Sequence, residues 1–167
     1  MDEWPAQAEW RRWLDTHAPR FLLFARQQAR SEADAQDLVQ EAVLESLGRC
    51  PDHELPPLSL VYATIRRRAI DLARNQDRRT AREQAASEPP NTVWFDTSVE
   101  DRERNGLIRN AMSRLPEMYR EVVTLKVWGE LTFSQIAEVL RIPANTAASR
   151  YRYGLEELRK LMREVLA

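Results

Sequence analysis

Apolar residues recur at three- and four-residue intervals along most of this chain, a pattern that predicts amphipathic α-helices. The first helix is predicted over Trp4–Arg30, and Pro19 is expected to bend or divide it. Ser31 is placed to cap a second helix that ends at Gly48, and a third helix is predicted over Leu58–Arg79. The N-terminal half is therefore predicted to form a helical lobe.

Two neighbouring helices are predicted in the C-terminal half. Glu117–Trp128 carries apolar residues close to helical spacing, and Gly129 ends this helix. Thr132 and Gln135 form the pattern of a capping box before a short helix that Pro143 cannot continue. The first of these two helices is expected to bury Met118, Val122, Val123, Leu125 and Val127.

The last helix follows a tight turn, and Asn145 or Thr146 is expected to cap it. Its buried stripe is predicted to be Ala148, Tyr151, Leu155, Leu158 and Met162. Thr146, Arg150 and Tyr153 lie on the opposite side, with Ser149 flanking them. A helix-turn-helix protein presents such a polar, cationic face to the major groove of DNA, where arginine binds guanine in bidentate fashion. An ordinary helical hairpin with a solvated face has the same pattern.

The second predicted helix separates an apolar side from an acidic side. The apolar side comprises Ala35, Val39, Ala42, Val43 and Ser46. The opposite side carries Asp34, Asp37, Glu41 and Glu45, with Leu38 and Leu44 at its edges. A charged helix face is usually only a solvated surface, but a leucine beside it favours a protein partner.

The third predicted helix is strongly basic. Its buried stripe is predicted to be Leu58, Val61, Ile65, Ala69 and Leu72, whereas Arg67, Arg74 and Arg78 project from the opposite side. Asp71 is spaced to pair with Arg67 or Arg74. Seven arginines between positions 66 and 82 outnumber two aspartates, an imbalance that favours phosphate contact over a salt-bridged surface helix. Tyr62 is the aromatic residue available to stack on unpaired bases.

The segment after the third helix has the composition of a linker. Pro89-Pro90, small residues and mixed charges mark residues 83–105, which separate a domain at 1–82 from a domain at 106–167. This linker would average roughly 25 Å as a random coil and reach roughly 70 Å when stretched. Val93-Trp94-Phe95 is an apolar island within it, and docking back onto the chain's own lobes is the commoner outcome for such an island.

Composition limits the remaining classes of protein. The 167 residues are 43% hydrophobic and 31% charged, with only 4 glycines, which favours helical domains. No apolar run approaches the roughly 20 residues that cross a bilayer, and a signal-peptide pattern is missing, so a cytoplasmic protein without membrane insertion is expected. Cys50, His17 and His53 offer no metal cluster, and we find no nucleophile–base pair or phosphate loop. Neither a cofactor nor enzymatic activity is predicted.

The motifs in these helices resemble bacterial sigma factors of the sigma-70 family, in particular the extracytoplasmic function (ECF) group. Region 2 of that family is matched by Asp34-Ala35-Gln36-Asp37-Leu38-Val39-Gln40-Glu41 and by Tyr62, Arg66, Ala69-Ile70-Asp71 and Arg74. Region 4 is matched by Leu115-Pro116, Tyr119-Arg120-Glu121-Val122, Ile136-Ala137-Glu138, Ile142-Pro143, Thr146, Ser149-Arg150 and Leu158-Arg159. The resemblance covers nearly the whole chain in the order region 2, linker, region 4.

This resemblance implies an all-α fold in which two small helical lobes, region 2 and a region 4 helix-turn-helix, are joined by a flexible linker. It implies a transcription initiation factor that binds core RNA polymerase, through the beta prime coiled coil and the beta flap. Such a factor directs the polymerase to the −10 and −35 elements of promoter DNA and helps to open the duplex. Many members are controlled by an anti-sigma factor, which is therefore a further candidate partner.

Three sets of site residues follow from the resemblance. Polymerase binding is expected of Asp34, Asp37, Leu38, Gln40, Glu41, Leu44 and Glu45. Contact with the −10 element is expected of Asp52, His53, Glu54, Leu55, Tyr62, Arg66, Arg67, Arg74 and Arg78. Recognition of the −35 element is expected of Thr146, Ser149, Arg150, Arg152 and Tyr153.

Two alternative functions stay open. A stand-alone helix-turn-helix regulator would use the C-terminal lobe, usually as a dimer, and would not need the acidic helix face. A sigma-like decoy would bind a regulatory protein instead of DNA, because Arg67 replaces a frequent Asn of the family and Ala148 replaces a basic residue. The turn before the last helix usually contains Gly where this chain has Arg141, so this turn must accommodate a side chain.

Overall fold

The computed structural model describes residues 7–51, 54–83, 94–95 and 102–167, and these residues form seven α-helices and no strand. The helices are α1 (Gln7–Gln28), α2 (Glu32–Arg49), α3 (Leu58–Glu83), α4 (Arg102–Arg114), α5 (Glu117–Val127), α6 (Phe133–Leu140) and α7 (Ala144–Leu166). The chain divides into two compact units, Met1–Trp94 and Phe95–Ala167, which we call unit 1 and unit 2. The predicted all-α class is therefore confirmed.

Unit 1 is built from α1, α2 and α3, each of which packs against the other two. The largest fully buried side chains include Phe21 and Phe24 of α1 and Ile65 of α3. α1 continues through Pro19 as one helix, so Pro19 does not divide it, and a bend at this proline stays a prediction. Packing explains the continuity, because the two phenylalanines on the following turns anchor the helix in the core.

Two features tie the ends of the unit 1 helices down. Ser31 caps α2 as predicted, since its hydroxyl oxygen accepts a hydrogen bond from the Asp34 backbone N–H at 3.1 Å. Arg26 of α1 is only 5% exposed and donates from Nε and Nη2 to the Glu32 carboxylate at 2.9 and 2.7 Å. Its Nη1 also donates to the backbone carbonyl of the buried Trp94, at 3.0 Å. Trp94 therefore belongs to the packing of unit 1.

Unit 2 places the short helix α6 and the long helix α7 around a tight turn. The predicted capping box is present, with the Gln135 N–H donating to Thr132 Oγ1 at 3.1 Å and the Thr132 N–H donating to Gln135 Oε1 at 2.9 Å. Arg141 ends α6 in the left-handed conformation, with φ 56° and ψ 49°. The turn thus accommodates a side chain at the position where the family that the sequence resembles usually has glycine, at the energetic cost of an unfavourable backbone conformation.

Two details of α7 differ from the predictions. Pro143 occupies the N-cap position without a side-chain hydrogen bond, so neither Asn145 nor Thr146 caps the helix. The fixed φ of proline already suits a helix start, and the Ala147 N–H donates to the Pro143 carbonyl at 3.0 Å. The buried residues of α7 are Ala147, Gly154 and Leu161, not the predicted stripe, whose members are all half-buried.

The predicted buried side of α5 also needs correction at two positions. Met118 and Val127 are exposed, whereas Glu121 and Thr124 are buried together with Val122, Val123 and Leu125. Both α6 and α7 pack on α5, and these contacts decide which of its residues are buried. Phe95 contributes at the edge of this unit, where its ring lies 5.8 Å from the ring of Trp128. Among the described residues, no helix combines the length and the apolar character that a membrane span needs.

Candidate protein-binding and nucleic-acid-binding surfaces

The acidic side of α2 lies on the surface of unit 1. Ala35, Ala42 and Ser46 are completely buried on the opposite side of the helix and fix its orientation. Asp37, Gln40 and Glu41 are exposed, and Leu44 is 62% exposed at the end of the same surface. An exposed leucine beside carboxylates is a surface that a protein partner with apolar and basic groups would cover.

Leu38 and Asp34, which were assigned to this surface, are less accessible than predicted. Leu38 is only 3% exposed, so it is a buried residue and not an outward contact. The reason is that α3 packs along this edge of α2 and forms a groove with Leu38 and Leu72 among its lining residues. Asp34 is half-buried and accepts a hydrogen bond from Gln76 Nε2 of α3 at 2.8 Å. The groove is lined by Asp34, Asp37, Leu38, Glu41, Arg68, Asp71, Leu72 and Asn75.

Carboxylates of α2 and arginines of α3 form an ion-pair cluster, which we define as Glu41, Glu45, Arg67 and Arg68. Glu45 accepts hydrogen bonds from Arg67 Nη2 and from Arg68 Nε, the latter at 2.7 Å. Arg68 Nη1 donates to Glu41 at 2.8 Å. Arg67 thus pairs with Glu45 of the neighbouring helix and not with Asp71 of its own helix.

The cluster changes the titration of its members. Hydrogen bonds from Arg67 and then from Arg68 lower the pKa of the Glu45 carboxyl from its usual value of 4.5. The hydrogen bond to Glu45 raises the pKa of Arg68. Arg68 therefore stays charged, and Glu45 is ionised at neutral pH. Of the residues predicted to bind different partners, Glu45 and Arg67 are in direct contact with each other in this structure.

The basic side of α3 extends beyond the cluster. Arg74 and Arg78 are exposed, and no ion pair engages either of them within the described residues. Arg66 is half-buried. These side chains lie on one helix and offer guanidinium groups to phosphates.

Tyr62 is not part of this surface. It is 2% exposed, and its ring lies 5.0 Å from Phe21 and 5.6 Å from Phe24, in edge-on geometry with both. Because both aromatic contacts come from α1, Tyr62 is a core residue, and its predicted role as a stacking platform for bases is wrong for this structure. In the preceding loop, Glu54 is exposed and Leu55 is half-buried, whereas Asp52 and His53 lie outside the described residues.

The first turns of α7 form the second basic surface. Arg152 and Tyr153 are exposed, and the Arg152 guanidinium lies 5.1 Å from the centre of the Tyr153 ring. Arg150 is half-buried, as are the polar residues Thr146 and Ser149. Within the described part of unit 2, no ion pair engages Arg150 or Arg152, so their charges are available to an anionic ligand.

Contacts beneath this surface fix the orientation of α7. Tyr151 packs on Phe133 of α6, with ring centres 5.6 Å apart, and Lys126 lies 4.5 Å above the same Phe133 ring. Gly154 allows α5 to approach closely, because a Cβ at this position would lie 3.0 Å from Val123 Cγ2. The helix is therefore held on both sides while its first turns face outward.

Sequence patterns do not single out two arginines that hold the helices of unit 1 together. In the sequence, Arg68 is one of several basic residues of α3, and Arg26 belongs to no motif. The acidic pair Glu41 and Glu45, four residues apart on one helix face, was the available signal for a bridging arginine. Among the described residues, no group of three or more His, Cys, Asp or Glu side chains is arranged to hold a metal ion.

Comparison with protein families gives two matches that follow each other along the chain. Residues 13–79 match the family described as Sigma-70 region 2, and residues 105–165 match the family described as Sigma-70, region 4. The first match includes α2 and most of α3, and the second includes α5, α6 and most of α7.

Three relatives of the chain are RNA polymerase sigma factors. The chain is 36% identical over 73 residues to the ECF RNA polymerase sigma factor SigW of Bacillus subtilis, and the match covers 44% of this chain and 39% of that protein. It is 25% identical over 148 residues to the RNA polymerase sigma factor SigV of the same species, covering 87% of this chain and 86% of SigV. The RNA polymerase sigma-E factor of Streptomyces coelicolor is 26% identical over 152 residues, with 91% and 85% covered.

The fold is also found in a solved structure. The sigma factor RpoE of Bartonella quintana, crystallised with the anti-sigma factor NepR, superposes with a TM-score of 0.70 and 16% sequence identity. The superposition covers 93% of this chain and 97% of that chain. At this identity the comparison supports the helical fold.

Proposed function

The chain belongs to the sigma-70 family, in its extracytoplasmic function group, and from this premise we propose how its surfaces divide the work of transcription initiation. A sigma factor binds core RNA polymerase and directs it to promoter DNA, and this is the function of the chain. Sigma factors are transcription factors and not enzymes. The remaining question is which residues perform each binding step.

We propose that the exposed side of α2 binds core RNA polymerase. Asp37, Gln40, Glu41 and Leu44 are the outward residues of this surface, while Asp34 and Glu45 support it from the groove and the ion-pair cluster. Carboxylates around one exposed leucine match a partner surface that is basic at its rim and apolar at its centre. Leu38 is buried beneath this surface, so we expect it to support the surface without contacting the polymerase directly.

The basic side of α3 and the loop before it are proposed to engage the −10 element. Arg66, Arg67, Arg74 and Arg78 supply the positive charge, and Glu54 and Leu55, with Asp52 and His53 of the same loop, are the candidates for contact with a displaced base. Because Tyr62 is buried, stacking on bases has to involve another residue or a rearrangement of the core. Phosphate contact is the role that the exposed arginines support.

The first turns of α7 are proposed to read the −35 element. Thr146, Ser149, Arg150, Arg152 and Tyr153 lie on these turns after a tight helix-turn-helix corner. The observation that carries the whole proposal is the separation of surfaces by charge. Unit 1 exposes an acidic surface on α2 and a basic one on α3, and α7 of unit 2 carries Arg150 and Arg152, which form no ion pair with any described residue.

Promoter-specific transcription tests this proposal. Purified core polymerase from the source bacterium is incubated with a genomic fragment library, with and without the protein. We expect new, discrete start sites that disappear with an Asp37→Arg plus Glu41→Arg variant. A Glu9→Arg plus Asp15→Arg variant makes the same charge change on the exposed side of α1 and should keep the start sites. Loss of transcription with both variants would contradict the assignment to α2.

The proposed role of α7 in reading the −35 element has its own test. Replacing Arg150 with Ala is expected to cost about 1–3 kcal/mol of binding at a cognate promoter if its guanidinium contacts a base edge, with a much smaller loss on unrelated DNA. Arg163→Ala, near the far end of α7, is the charge-matched control. Quantitative footprinting of the holoenzyme measures both. An equal loss on all sequences would make Arg150 a phosphate contact without base recognition.

Two further properties are proposed from the family. We expect the protein to act in the cytoplasm, where the polymerase is, and to be regulated by an anti-sigma factor, as the Bartonella quintana structure contains one. A start-site assay that yields no product, together with salt-sensitive binding of one DNA fragment in the absence of polymerase, would favour a stand-alone regulator. If the protein shows neither start-site selection nor DNA binding, the result would favour a decoy that binds a regulatory protein.

A further inference from the structure

Arg67 and Arg68 are neighbours in sequence, but the structure gives them different hydrogen bonds. Arg68 donates from Nε to Glu45 at 2.7 Å and from Nη1 to Glu41 at 2.8 Å. It therefore bridges two carboxylates on successive turns of α2. Among the residues that the structure describes, Arg67 donates only to Glu45, from Nη2. The guanidinium of Arg67 keeps more of its five N–H donors for other ligands.

The consequences of removing each arginine also differ. Glu45 has a third partner, because Arg49 Nη2 lies 3.1 Å from its Oε1. If Arg67 leaves Glu45 to contact a phosphate, Glu45 still has Arg49 and Arg68. If Arg68 is removed, Glu41 loses its ion pair, and it has no other one within the described residues.

Glu41 is the member of the cluster that faces outward on α2. Its side chain is 56% exposed, compared with 21% for Glu45. Glutamate side chains have several rotamers, and fixing one before binding reduces the entropy that a partner must remove. Arg68 supplies such a fixed geometry. The hydrogen bond from its Nε to Glu45 anchors the guanidinium group, and the hydrogen bond from its Nη1 holds the Glu41 carboxylate.

We propose that Arg68 is a positioning residue that fixes the Glu41 carboxylate on the polymerase-binding surface of α2, while Arg67 remains transferable to promoter DNA. This inference rests on the proposed function of the α2 surface. It assigns Arg68, an arginine on the basic helix, to polymerase binding and leaves its neighbour Arg67 to DNA binding. Charge alone does not predict this division, since the two residues carry the same charge on the same helix.

The affinity of the full-length protein for core polymerase tests the proposal. We expect Arg68→Ala to weaken binding about three- to tenfold, the range for losing one ordered side chain at an interface. Arg67→Ala removes the same charge and should leave this affinity unchanged within about twofold. A purely Coulombic effect would act in the opposite direction, because removing a cation beside an acidic surface strengthens its attraction for a basic partner.

A double-mutant cycle identifies Glu41 as the residue through which Arg68 acts. Glu41→Gln alone should weaken polymerase binding, and adding Arg68→Ala should weaken it no further, within about twofold. Additive losses would overturn the positioning role. Arg68→Lys is the second variant in case Arg68→Ala fails to fold. It keeps the charge but lacks the planar fork that spans two carboxylates, so it should also weaken binding.

Promoter binding by preassembled holoenzyme gives the second readout. At saturating core polymerase, Arg67→Ala should reduce the slope of log affinity against log salt by about 1, whereas Arg68→Ala should leave it unchanged. If Arg68→Ala changes this slope instead of core affinity, Arg68 is a DNA contact and the proposal is wrong. If Asp37→Asn and Glu41→Gln both leave core affinity unchanged, the proposed polymerase surface itself is wrong, and the role of Arg68 falls with it.

Discussion

Glu45 of α2 accepts hydrogen bonds from Arg67 and Arg68 of α3, and the titration of Glu45 reports whether these contacts persist in solution. Hydrogen bonds from Arg67 and Arg68 hold the pKa of the Glu45 carboxyl below its usual value of 4.5. A carboxyl whose pKa is lower in the folded state stabilises the fold at pH values above its unfolded-state pKa. This contribution is lost as the pH falls through the lower, folded-state pKa. Acid should therefore weaken the link between α2 and α3.

We expect wild type to be more stable than Glu45→Gln above about pH 4.5, with the difference disappearing at lower pH. Urea unfolding at a series of pH values measures the free energy of unfolding for both proteins. The same comparison in an Arg67→Ala plus Arg68→Ala background is the control, because the groups that lower the pKa are then missing. A difference that persists unchanged to pH 3 would contradict the assignment.

At the scale of helices, the close approach of α5 and α7 depends on one glycine. A Cβ on Gly154 would lie 3.0 Å from Val123 Cγ2 and 3.2 Å from Tyr119 Cβ. Gly154→Ala gains about 1 kcal/mol of helix propensity but overpacks this contact, which typically costs about 1–3 kcal/mol. We therefore expect Gly154→Ala to lower the free energy of unfolding by about 1 kcal/mol.

Gly106 provides the matched comparison for this substitution. It is exposed within α4, and a Cβ there would meet no atom within 4 Å. Gly106→Ala should therefore stabilise the protein by about 0.5–1 kcal/mol, the gain expected for an unobstructed helical position. Urea unfolding of both variants decides the question. Equal stabilisation by both would show that α5 yields easily at Gly154.

Helix boundaries set by local chemistry could be predicted from the sequence. The Ser31 cap and the Thr132 and Gln135 capping box depend on residues only three positions apart, and both are present. The buried stripe of α7 was predicted one position out of phase, because its rotation depends on α5 approaching Gly154 from another part of the chain. Periodicity identifies an amphipathic helix but does not show which neighbour comes closest.

The same distinction applies to the candidate sites. The outward position of Asp37, Glu41 and Leu44 follows from helical spacing within α2, and these residues are exposed as expected. The pairing of Arg68 with Glu41 joins residues 27 positions apart and requires knowledge of how α2 and α3 pack. Tyr62 illustrates the same limit, since only the packing of α1 shows that its ring is enclosed.

At the scale of the whole molecule, the predicted linker contains residues that belong to the folded units. The limits predicted for it, residues 83–105, stay a prediction, but α4 begins within them at Arg102. Trp94 packs in unit 1 with its carbonyl held by Arg26, and Phe95 packs against Trp128 of unit 2. When these contacts are formed, fewer residues than the predicted 83–105 are therefore free to act as a flexible linker.

These two contacts should have separable effects on stability. Trp94→Ala removes a buried aromatic side chain, for which a loss of about 3 kcal/mol is typical, and should reduce protection in α1, α2 and α3. Phe95→Ala should instead reduce protection near Trp128 in α5 and leave unit 1 unaffected. Hydrogen exchange of the full-length variants, analysed helix by helix, measures both effects. Trp94 and Phe95 are adjacent in sequence, so their contacts could depend on each other. If either substitution reduced protection equally in both units, the two contacts would not be independent and the prediction would be wrong.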